Sequence, residues 1–365
     1  MKIQLVFLII NIVSFYSFGQ TTKDPVSLDV MVGQMIMTGI GDESIMNKEN
    51  FLIKEIKSGK AGGVIYFEKN VNPENPKKEL IKSIKILQSI ANIPLLVSID
   101  EEGGLVNRLK PKYGFPKTAE AGYLGQINDK DSTRYYATNT ASTLAELGFN
   151  VNFAPDVDVN INPENPVIGG KGRSYSGDPN IVAVHASEVV KVHREYGIFT
   201  ALKHFPGHGS SQNDSHYGVA DVTNYWQFSE LMPYKNMLDS GMVDCVMTAH
   251  IVNKHLDPSG YPATLSPYVV SNILRNVLGF DGVVFSDDMQ MHAISRNFGF
   301  EESIKLAINA GVDVLVFANN VPGNERRTPS QIHGIIMDYI SKGEISEETI
   351  RESYNRIMKL KSQLP

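Results

Sequence analysis

The chain has 365 residues, of which 42% are hydrophobic and 20% are charged, as expected for a globular protein with one large core. Its formal net charge of -6 and its pI near 5.9 argue against nucleic acid as the main partner. The single cysteine, Cys245, cannot form an intrachain disulfide, and its apolar neighbours predict a thiol buried in the core.

Residues 1–20 differ from the rest of the chain. Lys2 is their only charged residue, and the run Ile3–Phe18 is almost wholly apolar. This pattern is typical of a secretory signal peptide, with cleavage near Gly19. An uncleaved anchor and a buried first helix are the alternatives, but the run is short for a bilayer-spanning helix, so we expect no stable membrane anchor. Residues 21–365 are then expected to form one mature domain, secreted or periplasmic.

Short apolar runs alternate with helical stretches along the rest of the chain. Because the runs are continuously apolar rather than alternating, they indicate strands that are buried on both faces of a parallel sheet. Eight such runs predict a single (β/α)8 TIM-type barrel with right-handed crossovers. The predicted strands are Gln34–Thr38, Gly63–Phe67, Leu95–Asp100, Val151–Ala154, Phe199–His204, Cys245–Ala249, Gly282–Ser286 and Val312–Phe317.

Helical periodicity is clearest in four stretches between these strands, and a fifth helix is predicted to cap the barrel at the C-terminal end of the chain. Ser346 is the expected N-cap of this last helix, with two glutamates behind it that suit the helix dipole. The predicted helices are Lys77–Ala91, Arg134–Leu147, Ile181–Tyr196, Glu301–Ala310 and 346–363.

Polar residues follow the predicted strands at their carboxyl ends. In a barrel these ends converge on one face, where the active site lies. One polar strand end is usually a cap or a satisfied ion pair, but five in register indicate a functional site. The strand-end residues are Asp100, Glu101, Glu102, Asp156, Asp158, Lys203, His204, His250, Asp287 and Asp288.

The stretch after the fifth strand concentrates groups that suit acid/base chemistry. Lys203-His204-Phe205-Pro206-Gly207-His208-Gly209 is followed by Asp214-Ser215-His216, and the glycines and proline predict a loop. A histidine titrates near neutrality and can act as a general acid and base, and Asp214 would orient His216 and stabilise its protonated form. Considered alone, His216 could equally be a surface histidine of a loop.

A carboxylate leaves the seventh predicted strand in the run Val283-Val284-Phe285-Ser286-Asp287-Asp288. Such a group can be a nucleophile, a general base or a metal ligand. Asp287 emerges first and is expected to point into the barrel mouth, whereas Asp288 could instead cap the next helix. Retaining glycosidases pair a carboxylate nucleophile with an acid/base group across the scissile bond, and Asp287 and His216 could take these two roles.

Two further motifs accompany the Lys203 and Asp287 segments, and the four stand in a characteristic order. The further motifs are Ser98-Ile99-Asp100-Glu101-Glu102-Gly103-Gly104, and Asn165-Pro166-Val167-Ile168-Gly169 leading to Arg173-Ser174-Tyr175. The set resembles family 3 glycoside hydrolases of the β-N-acetylglucosaminidase type, over roughly residues 27–320.

The resemblance implies a retaining exo-β-N-acetylglucosaminidase that needs no cofactor or metal. Its partner would be a β-linked glycan that ends in N-acetylglucosamine, such as a peptidoglycan fragment, and the protein is expected to be a monomer. The resemblance assigns Asp287 as the nucleophile and His216 as the general acid/base, with Asp214 as its partner. The residues that would hold the sugar are Asp100, Arg108, Arg173, Lys203 and His204, and a carboxylate acceptor with charged donors suits sugar hydroxyls.

Two departures from the family pattern concern the surroundings of the sugar. Leu105 stands where family members often have arginine, which affects the preference for the aglycone. The segment Gly169-Gly170-Lys171-Gly172 is longer than usual and affects the placement of Arg173.

Other functions remain open on the sequence alone. A histidine acid/base does not repel phosphate as a carboxylate would, so an N-acetylglucosaminide phosphorylase is possible, as is a β-glucosidase. A non-catalytic sugar-binding protein is another alternative. A metal-dependent barrel hydrolase is a third, with ligands drawn from His204, His208, His216, His250 and Asp287.

Overall fold

The computed structural model describes residues 26–41, 45, 50–214, 218–320 and 325–364. Within these ranges eight parallel strands close into a barrel, which confirms the predicted fold, and two short strands, β6 and β8, pair with each other outside it. The barrel order is β1-β10-β9-β7-β5-β4-β3-β2. The strands are β1 (Ile36–Gly39), β2 (Gly63–Tyr66), β3 (Leu96–Ile99), β4 (Val151–Asn152), β5 (Phe199–Phe205), β6 (Ala220–Asp221), β7 (Cys245–Thr248), β8 (Ile251–Val252), β9 (Val283–Asp288) and β10 (Val314–Phe317). The signal peptide predicted over residues 1–20 lies outside the described residues and stays a prediction.

Helices surround the barrel and connect its strands. No described helix has both the length and the apolar composition that crossing a membrane requires. A π-helix over Tyr268–Val277 precedes β9. The α-helices are α1 (Leu28–Gln34), α2 (Phe51–Lys57), α3 (Pro76–Ile90), α4 (Ala121–Ile127), α5 (Lys130–Leu147), α6 (Pro179–Glu195), α7 (Met232–Asp239), α8 (His292–Ser295), α9 (Phe300–Ala310), α10 (Pro329–Ser341) and α11 (Glu347–Lys361).

The predicted elements are all present, and the differences lie at their ends. Helix α5 begins earlier than the apolar periodicity predicts, because the Asp129 carboxylate caps it by accepting the backbone N–H groups of Asp131 at 3.3 Å and Ser132 at 3.0 Å. Strand β9 continues beyond the predicted Ser286 to Asp288. The last two residues of this strand are therefore positioned by the barrel itself rather than by a loop.

Apolar side chains fill the barrel interior. The rings of Phe153, directly after β4, and Phe285, on β9, meet edge to face with their centroids 5.2 Å apart. Cys245 on β7 is fully buried, which confirms the predicted core thiol. The packed interior leaves the two ends of the barrel as the places where polar side chains gather.

The C-terminal helix α11 covers the amino-terminal ends of the strands. Ser346 caps it, as predicted, by accepting the backbone N–H of Thr349 at 3.0 Å. Arg356 reaches the buried carboxylate of Asp313, with Nη1 3.1 Å from Oδ1. Near the other end of the helix, Lys361 Nζ donates to Gln34 Oε1 at 2.6 Å and to the carbonyl of Gly62 at 2.8 Å. The helix is thereby joined to the residues that precede β1, β2 and β10.

Lys361 makes the stability of the protein dependent on pH. Burial lowers the pKa of Lys361 to about 7 from its usual 10.5. Because the pKa is lower in the folded state, the contribution of this lysine is largest above the unfolded pKa and is lost as the pH falls toward 7. We expect the free energy of unfolding of the wild type, relative to Lys361→Met, to rise between about pH 7 and about pH 10. Urea unfolding across this range measures the difference.

Lys359, on the same helix but 70% exposed, provides the matched control. Lys359→Met should leave the difference from the wild type nearly constant over the same pH range. A constant difference for Lys361→Met as well would contradict the prediction.

Candidate active site

The carboxyl ends of the barrel strands surround a cavity of about 690 Å³, which is within the usual range for small-molecule sites. All of the predicted site residues that the structure describes line this cavity. They are Asp100, Arg108, Arg173, Lys203, His204, Asp214 and Asp287. The eighth, His216, lies outside the described residues.

Lys203 forms the centre of a buried ionic cluster. Its ammonium Nζ lies 2.8 Å from Asp100 Oδ1 and 2.6 Å from Glu102 Oε1, although the residue is only 2% exposed. Burial opposes the ionisation of Asp100, but Lys203 and Arg108 outweigh it and hold the pKa of Asp100 below its usual range. Arg108 approaches the other oxygen of Asp100 at 3.4 Å and stays partly exposed. Asp100 is therefore an ionised acceptor facing the cavity.

Arg173 also binds Glu102, through both oxygens of the carboxylate. Its Nε and Nη2 donate to the two carboxylate oxygens at 2.8 and 2.7 Å, a bidentate pair that holds both groups in one plane. The long segment before it folds into a compact 3-10 turn over Gly169–Lys171. Gly172 follows with φ of 63°, and the backbone N–H of Arg173 then donates to the carbonyl of Ile168 at 3.2 Å. From the end of this turn, Arg173 reaches the cavity.

His204 is held by Asp158. The imidazole Nδ1 lies 2.8 Å from Asp158 Oδ2, while Asp158 Oδ1 accepts the backbone N–H groups of His204 at 3.2 Å and His208 at 2.7 Å. Burial disfavours the charge on Asp158, but the two histidines bring the net pKa below its usual value. The other ring nitrogen of His204 lies 3.3 Å from Arg173 Nη2. His208 is buried beneath this group, and burial lowers its pKa to about 4, so it is neutral at physiological pH.

The end of β9 presents two aspartates with different surroundings. Asp287 lines the cavity, and its Oδ1 accepts the backbone N–H of Asp288 at 2.7 Å. Asp288 Oδ1 accepts the N–H groups of Gln290 at 3.1 Å and of Ala318, beyond β10, at 3.0 Å. The interpretation of Asp288 as the cap of the next helix is wrong, because that helix begins at His292 and is preceded by Met291. Asp288 instead ties the ends of two neighbouring strands together.

Glu102 and Asp158, which the sequence places at strand ends without a role of their own, bind the charged residues of the site. The run of three acidic residues after β3 indicates that carboxylates lie at this strand end, but only the fold shows which of them face the cavity. Glu101 turns away, and its Oε2 accepts the backbone N–H groups of Arg108 at 2.8 Å and Leu109 at 3.1 Å. Burial raises the pKa of Glu101 to about 7.

Of the residues considered as metal ligands from the sequence, the four that the structure describes do not form a group with metal-ligand spacing. His250 has Nδ1 2.8 Å from Thr264 Oγ1 and Nε2 3.0 Å from the carbonyl oxygen of Asp288. Among the described residues, the group with metal-ligand spacing is a different one, Asp156, Asp158 and His204. Arg173 already places a cation next to this group, with Nη2 3.2 Å from Asp156 Oδ2.

Comparisons with known proteins agree on the family of the chain. The sequence profile described as "Glycosyl hydrolase family 3 N terminal domain" matches residues 27–360. "Beta-hexosaminidase A" of Pseudoalteromonas piscicida is 33% identical over 327 residues, 83% of this chain and 54% of that protein. "Beta-hexosaminidase" of Tolumonas auensis is 33% identical over 267 residues, 72% of this chain and 77% of that protein.

A solved structure of another protein has the same fold as this chain. A "glycoside hydrolase family 3 beta-N-acetylglucosaminidase" from Paenibacillus sp. str. FPU-7 superimposes with a TM-score of 0.83 at 36% identity, over 93% of this chain and 63% of that one. The chain therefore spans only about half to two thirds of the length of two of these relatives. Since the profile match covers nearly all of the described barrel and these relatives share its sequence and fold, the chain belongs to glycoside hydrolase family 3 and corresponds to the family's N-terminal domain.

Proposed function

We propose that the protein is a retaining exo-β-N-acetylglucosaminidase, which removes terminal N-acetylglucosamine from β-linked glycans. The observation that carries this proposal is that Asp287 and the ionic cluster of Asp100, Lys203 and Arg173 line one cavity. The cavity thus combines a carboxylate for covalent attack with charged groups that suit sugar hydroxyls. The hexosaminidase names of the relatives support the N-acetylated sugar.

In the proposed reaction, Asp287 attacks the anomeric carbon and the glycosidic bond to the leaving oxygen breaks. His216 donates a proton to that oxygen, and Asp214 stabilises the imidazolium form of His216 before the transfer. A water molecule, deprotonated by His216, then attacks the glycosyl-enzyme intermediate and frees Asp287. Configuration is retained because two displacements occur in sequence. Asp100, Arg108, Arg173, Lys203 and His204 would hold the sugar during both steps, and no cofactor takes part.

Lys171 supports a peptidoglycan fragment as the natural substrate. It lines the same cavity, and the structure shows no ion pair between it and any described carboxylate. A muramic residue next to the N-acetylglucosamine carries a carboxylate on its lactyl ether, whereas chitin fragments are neutral. An uncompensated ammonium in the cavity wall favours the anionic aglycone.

Residues 1–20 support secretion of the protein, which would bring it to such fragments in the periplasm or outside the cell. N-terminal sequencing of the protein purified from its native host tests this proposal. A mature chain that begins near Gln20 is expected, and a chain that retains Met1 in the cytoplasm would contradict it.

Replacement of Asp287 tests the nucleophile. With 4-nitrophenyl β-N-acetylglucosaminide, Asp287→Ala should lower kcat by at least about 10⁴-fold, because the covalent route is lost. Azide should restore turnover in this variant and yield the α-glycosyl azide, since a small anion then makes a single inverting displacement. Product configuration is read by NMR.

The matched β-glucoside separates this activity from other specificities of the family. The wild type should prefer the acetamido sugar, and its rate should not rise with phosphate as a phosphorylase would require. Normal turnover by Asp287→Ala, or a β-configured azide product, would contradict the assignment.

Replacement of Lys171 tests the anionic aglycone. For N-acetylglucosaminyl-β-1,4-N-acetylmuramic acid, Lys171→Gln should lower kcat/KM by about tenfold at low salt, which is the size of one charge-assisted contact. For neutral chitobiose the same variant should stay within about twofold, and the contrast should shrink at high salt because exposed charges are screened. Equal losses for both disaccharides would argue that Lys171 has only a structural role.

A further inference from the structure

The proposed acid/base pair follows a backbone segment that is held tightly on one side. We call Gly207–Ser211 the loop root. Asn165 Nδ2 donates to the carbonyl of His208 at 2.7 Å, and Asn162 Nδ2 donates to that of Ser211 at 3.0 Å. The loop root runs so close to this side that a Cβ at Gly209 would lie 1.7 Å from the carbonyl oxygen of Val159. The segment after β4 therefore forms one wall of a cradle for the loop root.

Glu230 forms the other wall. It lies in a short 3-10 turn over Phe228–Leu231, just before α7, and it is fully buried. Its Oε2 accepts the backbone N–H of Ser210 at 3.2 Å, and its Oε1 accepts that of Gln227 at 3.2 Å. Gly207, with φ of 120°, passes so near that a Cβ there would lie 2.5 Å from Glu230 Cβ.

Such a buried carboxylate is costly and is not compensated by a cation. The structure shows no ion pair from Glu230 to a described lysine or arginine, and burial raises the pKa of Glu230 to about 7. An apolar side chain at this position would avoid the desolvation cost. What the carboxylate adds is a fixed geometry, because its two oxygens join the loop root to the start of α7 through directional bonds.

We propose that Glu230 is a positioning residue for the general acid, which it serves by fixing the backbone of the loop root, from which the chain continues to Asp214 and His216. Asp214 lies only three residues beyond Ser211 and lines the sugar cavity. A shift of the loop root would therefore be passed directly to the donor of the proton. The inference rests on the proposed function, since it concerns the proton donated to the leaving oxygen.

A series of aryl β-N-acetylglucosaminides with leaving groups of increasing pKa tests the inference. The rate kcat/KM reports bond cleavage, and only poor leaving groups need a proton from the enzyme. For Glu230→Ala we expect kcat/KM to fall about 10²-fold with a phenol leaving group, and to stay within about threefold with dinitrophenol. The dependence of log kcat/KM on leaving-group pKa should become steeper. Glu230→Gln keeps the shape of the side chain and one acceptor oxygen, so its kcat/KM with phenol should lie between the values of the wild type and of Glu230→Ala.

Tyr234→Phe is the matched control. Tyr234 is fully buried on α7, which follows the turn that holds Glu230, and its ring packs edge to face on that of Phe205 at 5.0 Å, but the structure shows no bond between Tyr234 and the loop root. This variant should keep the wild-type slope. If Glu230→Ala does not fold, Glu230→Gln carries the test.

The outcomes separate this inference from the proposed function. A wild type that cleaves no member of the series would disprove the function itself. An active wild type whose slope is steepened by His216→Ala but not by either Glu230 variant would overturn the inference. An equal loss for all leaving groups, accompanied by a lower Tm, would also overturn it and leave Glu230 as a structural residue.

Discussion

The site depends on one constraint, the burial of two cations against a shared carboxylate. Glu102 Oε1 accepts from Lys203 Nζ at 2.6 Å and from Arg173 Nη2 at 2.7 Å. Both cations are almost completely buried, at 2% and 8% exposure. Charges can be removed from water in this way only when they are paired and hydrogen-bonded. The three groups come from β5 and from the loops after β3 and β4, so closure of the barrel and formation of the cluster stabilise each other.

From this cluster the polarity of the cavity follows. Lys203 holds Asp100 ionised at the cavity wall, and Arg173 turns one edge toward His204, which Asp158 holds from behind. Burial and the neighbouring charge of Asp158 raise the pKa of Asp156 well above its usual value, so this carboxyl group favours its neutral form. Donors and acceptors are thereby in place before a ligand binds, which reduces the cost of reorganisation on binding.

The two proposed catalytic groups are supported in different ways. Asp287 belongs to a barrel strand, and its neighbour Asp288 ties that strand to β10. The proposed acid/base pair instead follows the loop root in the chain, and the loop root is anchored by Asn162, Asn165 and Glu230. A nucleophile must meet one carbon atom, whereas an acid/base group must serve first a leaving oxygen and then a water molecule. A rigid strand suits the first task, and a loop with a fixed root suits the second.

Much of this arrangement can be predicted from the sequence. Eight apolar runs predict the barrel, and the polar residues at the carboxyl ends of five of them predict the face that carries the site, because both patterns are local properties of the chain. The motifs around Asp100, Arg173, Lys203 and Asp287 predict the family, and each of these residues lines the cavity. The sequence likewise predicts that Ser346 caps a helix, since a cap bonds to residues only a few positions away.

Other features were decided only by the tertiary structure. Three acidic residues in a row after β3 look alike in sequence, yet Asp100 faces Lys203, Glu102 binds two cations, and Glu101 turns back to hold its own loop. Nothing in the local sequence distinguishes Glu230 from other glutamates, and only the fold places its carboxylate against the loop root. The sequence by itself determined the repeating strands, the barrel and the residue types of the site. The partners of each charge came from the fold, because ion pairs join residues that are distant in the chain and their energy depends on burial that no local pattern records.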